Sequence, residues 1–210
     1  IRHLLSTLND LNARGIPVRG TWDFENCFSL GKIMPVYCPD IIAELQRRVR
    51  EEHDEMQIMS YNNGLISAHT AREFEESICR SLTNAEGSGL HDLFDGCNPV
   101  MVRPQEMMFT PIHLKLYPAC GIRAISLFYS ALPFNGFSNF LPPLTFTERY
   151  NPLTLTYPGI EETMTLMPCY NTGDLLDHLT LRRWVKAMRR QQLALENPQD
   201  LLLLIDMDAD

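Results

Sequence analysis

A helix that stops at glycine and runs straight into an apolar strand occurs twice in this chain. No other feature limits its fold as much. Ala13-Arg14-Gly15-Ile16 and Ala119-Cys120-Gly121-Ile122 are built alike. Glycine takes the left-handed conformation beyond a helix end at little cost, and repeated joints of this kind favour a wound or barrel α/β architecture. The second joint lies inside a fuller unit, Pro99 to Tyr129. A short β-rich segment, Pro99 to Pro104, ends at Gln105-Glu106. Thr110-Pro111 then opens a helix with a capping hydroxyl and an early proline. The helix ends near Cys120-Gly121, and Ile122 to Tyr129 reads as the next strand. Strand, helix and strand with short joints form a parallel βαβ unit. A carboxylate at the carboxyl end of such a strand sits where α/β enzymes place their chemistry. Glu106 is therefore the first candidate functional residue.

The remaining segments repeat the alternation. Leucines 4, 5, 8 and 11 have helical spacing, and Ile16 to Phe24 reads as a strand. Residues 25 to 38 read as a loop. Pro39 to Arg50 reads as an amphipathic helix with Ile41, Ile42, Leu45 and Val49 on one face. Gln57 to Tyr61 is a strand candidate followed by Asn62-Asn63-Gly64, a turn signal that equally suits a strand-end loop presenting amides to a ligand. Thr70 with Glu73 spells a capping box for a helix to Leu82. Asn84 to Asn98 reads as loop. Leu153 to Tyr157 and Thr163 to Met167 flank Pro158-Gly159 as a β-hairpin. A helix follows, from Leu175 or Leu179 through Leu195. Leu201 to Ile205 then reads as a fully buried strand of a sheet covered on both faces. The loop Phe134-Asn135-Gly136-Phe137-Ser138-Asn139-Phe140 has two readings, aromatic packing or sugar stacking with amide hydrogen bonds.

Three strand ends carry acids: Trp22-Asp23-Phe24-Glu25, Gln105-Glu106 and Asp206-Met207-Asp208. Carboxylates converging on one rim can hold a metal or act as acid and base on a sugar. The bland alternative is that they cap helices or pair with arginine. Other chemistries find no support. The formal charge of −8 argues against a nucleic-acid surface. The six histidines form no H-x-H or H-E-x-x-H pattern, and the His53-Asp54 and His91-Asp92 pairs, on polar stretches, read as solvent-facing. Dinucleotide, nucleotide-triphosphate and serine-hydrolase motifs are missing. No C-x-x-C pair occurs among six cysteines, so the default setting is a reducing cytoplasm. No stretch is long enough to cross a bilayer. The chain runs from Ile1 to Asp210, directly after a strand-like run. It is expected to be a single β/α-barrel domain over residues 1–210 that lacks at least one element at each end.

Pro104-Gln105-Glu106 followed by an apolar patch resembles the Pro-Glu segment that carries the nucleophile in the family-57 glycoside hydrolases. The apolar strand before Asp206-Met207-Asp208 resembles that family's later strand ending in Asp-x-Glu, whose first acid is the general acid/base. Met59 to Gly64 matches an earlier strand end. The family's histidine motif and the tryptophan before its Pro-Glu segment are absent, and Asp208 stands where glutamate is usual. The resemblance implies an incomplete (β/α)7 TIM-like barrel with a β-hairpin insertion, shared with family-38 mannosidases and polysaccharide deacetylases. It implies a retaining glycosidase or transglycosylase acting on an α-linked glucan or related oligosaccharide, without cofactor or metal. Glu106 would be the nucleophile and Asp206 the acid/base. Trp22, Asp23, Asn62, Asn63, Tyr129 and Asp208 would contact substrate. Two alternatives stay open: a metal-dependent mannosidase-like or deacetylase-like enzyme, and a non-catalytic carbohydrate-binding barrel.

Overall fold

The computed structural model describes residues 1–129, 144–171, 175 and 178–207. Helix α1 (Arg2–Ala13) leads to strand β1 (Gly20–Asp23), a π-helix (Asn26–Ile33) and the single turn α2 (Met34–Tyr37). Helix α3 (Pro39–Arg50) precedes β2 (Asp54–Gln57), and α4 (Ala71–Leu82) and the short α5 (Leu90–Leu93) precede β3 (Met101–Val102). Helix α6 (His113–Ala119) joins β3 to β4 (Ala124–Phe128). Strands β5 (Leu153–Tyr157) and β6 (Ile160–Tyr170), helix α7 (Leu181–Leu193) and β7 (Leu204–Ile205) follow.

The parallel strands neighbour one another in chain order. β1 pairs with β2, β3 with β4, β4 with β6 and β6 with β7. A parallel bridge between Ile58 and Val102 joins β2 to β3. Parallel neighbours that follow one another along the chain, most of them joined through helices, wind a sheet in one direction. Here the sheet curls into a half-barrel, the arrangement of a partial TIM-like barrel. Both glycine joints behave as their chemistry requires, with Gly15 at φ 74° and Gly121 at φ 84°.

The helices pack by their apolar stripes. On α3, Ile41, Leu45 and Val49 are buried. They join Ile58, Ile78, Val102, Leu114, Ile122 and Ile125 in one core between helices and sheet. A second, smaller core seats α7. Trp184 is buried against Tyr150 and Tyr170, and its indole N–H donates to Tyr150 Oη at 3.1 Å. Full burial of each large side chain contributes about 1.5–3 kcal/mol.

Four expectations need correction. The segment expected to be loop after β1 is helical, because Glu25 caps it: its carboxylate accepts the N–H groups of Phe28 and Ser29 at 2.7–2.9 Å. Strand β2 starts at Asp54, earlier than expected, since its polar residues find buried partners. The hairpin pairs antiparallel as expected, but its second arm is longer and runs parallel to β4, so it is itself a strand of the wall. Leu201 to Ile205 is not fully buried. Its ladder is two residues long, and Leu202 is 44 % exposed.

Candidate active site

The carboxyl ends of β1, β3 and β7 bring three charged side chains together. Arg103 follows β3 directly, Asp23 ends β1, and Asp206 follows β7. Arg103 Nε lies 2.5 Å from Asp206 Oδ2, and Arg103 Nη1 lies 3.5 Å from Asp23 Oδ2. All three side chains are largely withdrawn from solvent. Their backbones are fixed by the sheet. Arg103 N–H donates to Ile58 O at 3.0 Å, and Asp206 N–H donates to Tyr170 O at 2.8 Å. Pro104 further restricts Arg103 to an extended backbone.

Below this cluster a polar layer lines the concave face. Asp23 and Gln57 are register partners on β1 and β2 and so share a face. Gln57 Nε2 donates to Ser126 Oγ on β4 at 2.9 Å. A contact from β2 to β4 that passes over β3 is possible only on the inside of the curl.

Glu106 stands on the loop three residues past Arg103. It is exposed, and its carboxylate accepts from Gln105 Nε2 at 3.3 Å. Glu106 and Met107 both hold left-handed backbones, at φ 52° and 53°. Non-glycine residues adopt that region at a cost of about 1–2 kcal/mol each. The strained turn puts the Glu106 side chain outward while Met107 is buried beneath it. Beneath this loop lies His113, enclosed by Phe74, Phe109 and Tyr117 at ring separations of 5.0–5.5 Å. Its Nδ1 accepts the Thr110 N–H at 3.3 Å. Burial lowers its pKa to about 4, so it is neutral and structural.

The other expected contacts divide. Asn62 and Asn63 are exposed on the loop after β2. The left-handed residue there is Asn63, at φ 58°, rather than Gly64. Gly64 allows a close approach instead: a Cβ would lie 3.0 Å from Asn62 Oδ1 and 3.3 Å from the His69 ring, and those side chains would have to give by a few tenths of an ångström. Tyr129 is half-buried. Its hydroxyl accepts the Leu144 N–H at 3.1 Å, and the Arg149 guanidinium covers its ring at 5.2 Å. Trp22 is 6 % exposed, stacks on Phe24 and donates its indole N–H to Asp54 at 2.7 Å. It belongs to the core between sheet and helices, and its indole is committed to Asp54. Asp208 and the loop from Phe134 to Phe140 lie outside the described residues.

Sequence reasoning passed over Arg103, Gln57 and Ser126. The one available signal was an arginine at a strand end, directly before Pro104. Among the described residues, no group of three or more His, Cys, Asp or Glu could hold a metal ion, and no helix is long and apolar enough to cross a membrane.

No known protein family matches the sequence, and no curated protein does. Solved structures match the fold. A 4-alpha-glucanotransferase from Thermococcus litoralis superposes with a TM-score of 0.72 at 14% identity, over 98% of this chain and 29% of that one. A putative polysaccharide deacetylase from Mycobacterium smegmatis gives 0.58 at 15% identity, over 97% and 62%. An exo-type maltose-forming amylase from Pyrococcus sp. ST04 gives 0.50 at 12% identity, over 98% and 33%. The likeness is one of fold. The chain spans about a third or less of the two longer proteins it superposes on. It matches them with a curled parallel sheet that forms a half-barrel.

Proposed function

We propose that this chain acts on an α-linked glucan or a related oligosaccharide as a retaining glycoside hydrolase or transglycosylase of the family-57 type. The observation that carries this reading is the set of acids at the carboxyl ends of wound parallel strands: Asp23 after β1, Glu106 on the loop after β3 and Asp206 after β7. The proposed barrel is the incomplete (β/α)7 form, and the fold likeness to a glucanotransferase and an amylase supports it.

Glu106 would attack the anomeric carbon as the glycosidic bond breaks, with Asp206 giving a proton to the departing oxygen. Asp206 would then take a proton from water, or from an acceptor sugar hydroxyl, as the Glu106–sugar bond is cleaved. Asp23, Asn62 and Asn63 would hold sugar hydroxyls along the rim. The exposed Glu106, raised on its left-handed turn, is accessible to an incoming sugar.

One observation favours a second reading, a non-catalytic carbohydrate-binding protein: Asp206 is already engaged by Arg103. Incubation of the whole chain with maltotetraose, with products followed by proton NMR at the anomeric position, separates the two. Release of α-anomeric product, lost in Glu106→Gln, supports the retaining enzyme. Binding by calorimetry without any product supports the second reading, and neither binding nor product sinks both.

A further inference from the structure

One guanidinium serves two carboxylates from the first and last strands of the parallel wall. Arg103 sits three residues before Glu106, on the segment that carries the proposed nucleophile. Its backbone is pinned by Ile58 and by the following proline, whose φ is −65°. β1 and β7 carry Asp23 and Asp206 to it from opposite ends of the curl. Exposures of 18 %, 25 % and 19 % for the Arg103, Asp23 and Asp206 side chains leave this pairing less screened than one at an open surface. The planar fork of arginine presents nitrogens along two edges, so it can meet two carboxylates that approach from different directions. A lysine ammonium is a single point charge on a thinner stem.

We propose that Arg103 is the positioning residue of this mouth. Its guanidinium sets where the Asp206 and Asp23 carboxylates stand, and through them how a glycan lies over Glu106. The consequence for turnover rests on the glycosidase reading above, while the placement of the two carboxylates does not.

The test uses the whole chain with Arg103→Gln and Arg103→Lys. The side-chain carboxyl carbons of Asp23 and Asp206 are followed by carbon-13 NMR, their signals identified from Asp23→Asn and Asp206→Asn. Both signals move in Arg103→Gln while those of Asp10 and Asp95 stay in place, and Arg103→Lys recovers at most one of them. On maltotetraose, kcat in Arg103→Gln falls by about 10²-fold, the cost of misplacing a reacting group by an ångström, and KM rises as Asp23 loses its place against the sugar hydroxyls. Movement of neither signal, or of only one, overturns the proposal, as does a kcat within about twofold of the parent. If Arg103→Gln does not fold, the lysine variant decides: unchanged positions for both signals overturn the shared role. A parent protein that turns over no glycan defeats the glycosidase reading, and the two carboxyl signals then judge Arg103 by themselves.

Discussion

Arg48 and Asp54 face each other with neither side chain exposed to solvent, Nε to Oδ2 at 2.7 Å and Nη2 to Oδ1 at 2.8 Å. Asp54 also accepts the Gly20 N–H and the Trp22 indole N–H. Three groups, one from α3 and two from β1, thus meet at the carboxylate of β2 beneath the sheet. Asp54→Asn leaves a guanidinium buried without its counter-ion, which costs about 3–5 kcal/mol. Urea unfolding should show that loss. Replacing Arg48 and Asp54 together with apolar residues of similar size should restore much of it.

At the mouth, Glu106→Gln should abolish turnover to below about one part in 10³ without changing the unfolding midpoint, since the side chain is exposed. Asp206→Asn should lower kcat by about 10²–10⁴-fold, the usual worth of general acid–base help. An aglycone that leaves without protonation should lessen that deficit in the glycosylation step. Steady-state kinetics on aryl glycosides with leaving groups of different acidity checks this.

The left-handed turn separates stability from activity at one position. Asparagine tolerates φ of 52° better than glutamate does. Glu106→Asn should therefore stabilise the fold by up to about 1 kcal/mol while removing turnover. Glu106→Gln keeps the strain and should melt with the parent. Thermal unfolding of the two variants side by side is the measurement.

His113 predicts an acid weakness. Folding lowers its pKa from 6.5 to about 4 by burial. Above pH 6.5 the ring is neutral in both states, and stability is complete. Between pH 6.5 and about 4 the unfolded chain binds a proton that the folded chain refuses, so stability falls as pH falls. The loss reaches roughly 3 kcal/mol near pH 4. His113→Gln should flatten the slope across that window in urea titrations at successive pH values.

What was legible in the chain was local. The apolar stripe of α3, the Thr70–Glu73 capping box and the glycines at 15 and 121 depend on neighbours within a few residues, and each is found in place. The βαβ order around Glu106 follows from the same logic. What was not legible depends on partners far along the chain. Asp54-Glu55-Met56-Gln57 lacks the look of a strand, because its polar groups are satisfied elsewhere: Asp54 pairs with Arg48 and accepts from Trp22, and Gln57 donates to Ser126, 69 residues away. Arg103 gives no local hint that its carboxylates arrive from positions 23 and 206. The burial of His113 was equally hidden, because nothing near it in sequence announces that Phe74 will close over it.

Strand β6 shares one edge between two neighbours. Antiparallel β5 takes the stretch from Ile160 to Leu166 and leaves β7 only Cys169 and Tyr170. Asp206 is thus tethered by a ladder two residues long plus one ion pair spanning 103 positions. An element held by so few bonds opens on its own, long before the domain unfolds. The amide of Asp206 should exchange with solvent deuterium far ahead of that of Ile125 in the centre of the wall. Each such opening would dismantle the charge cluster, so the mouth would come apart before the fold that carries it.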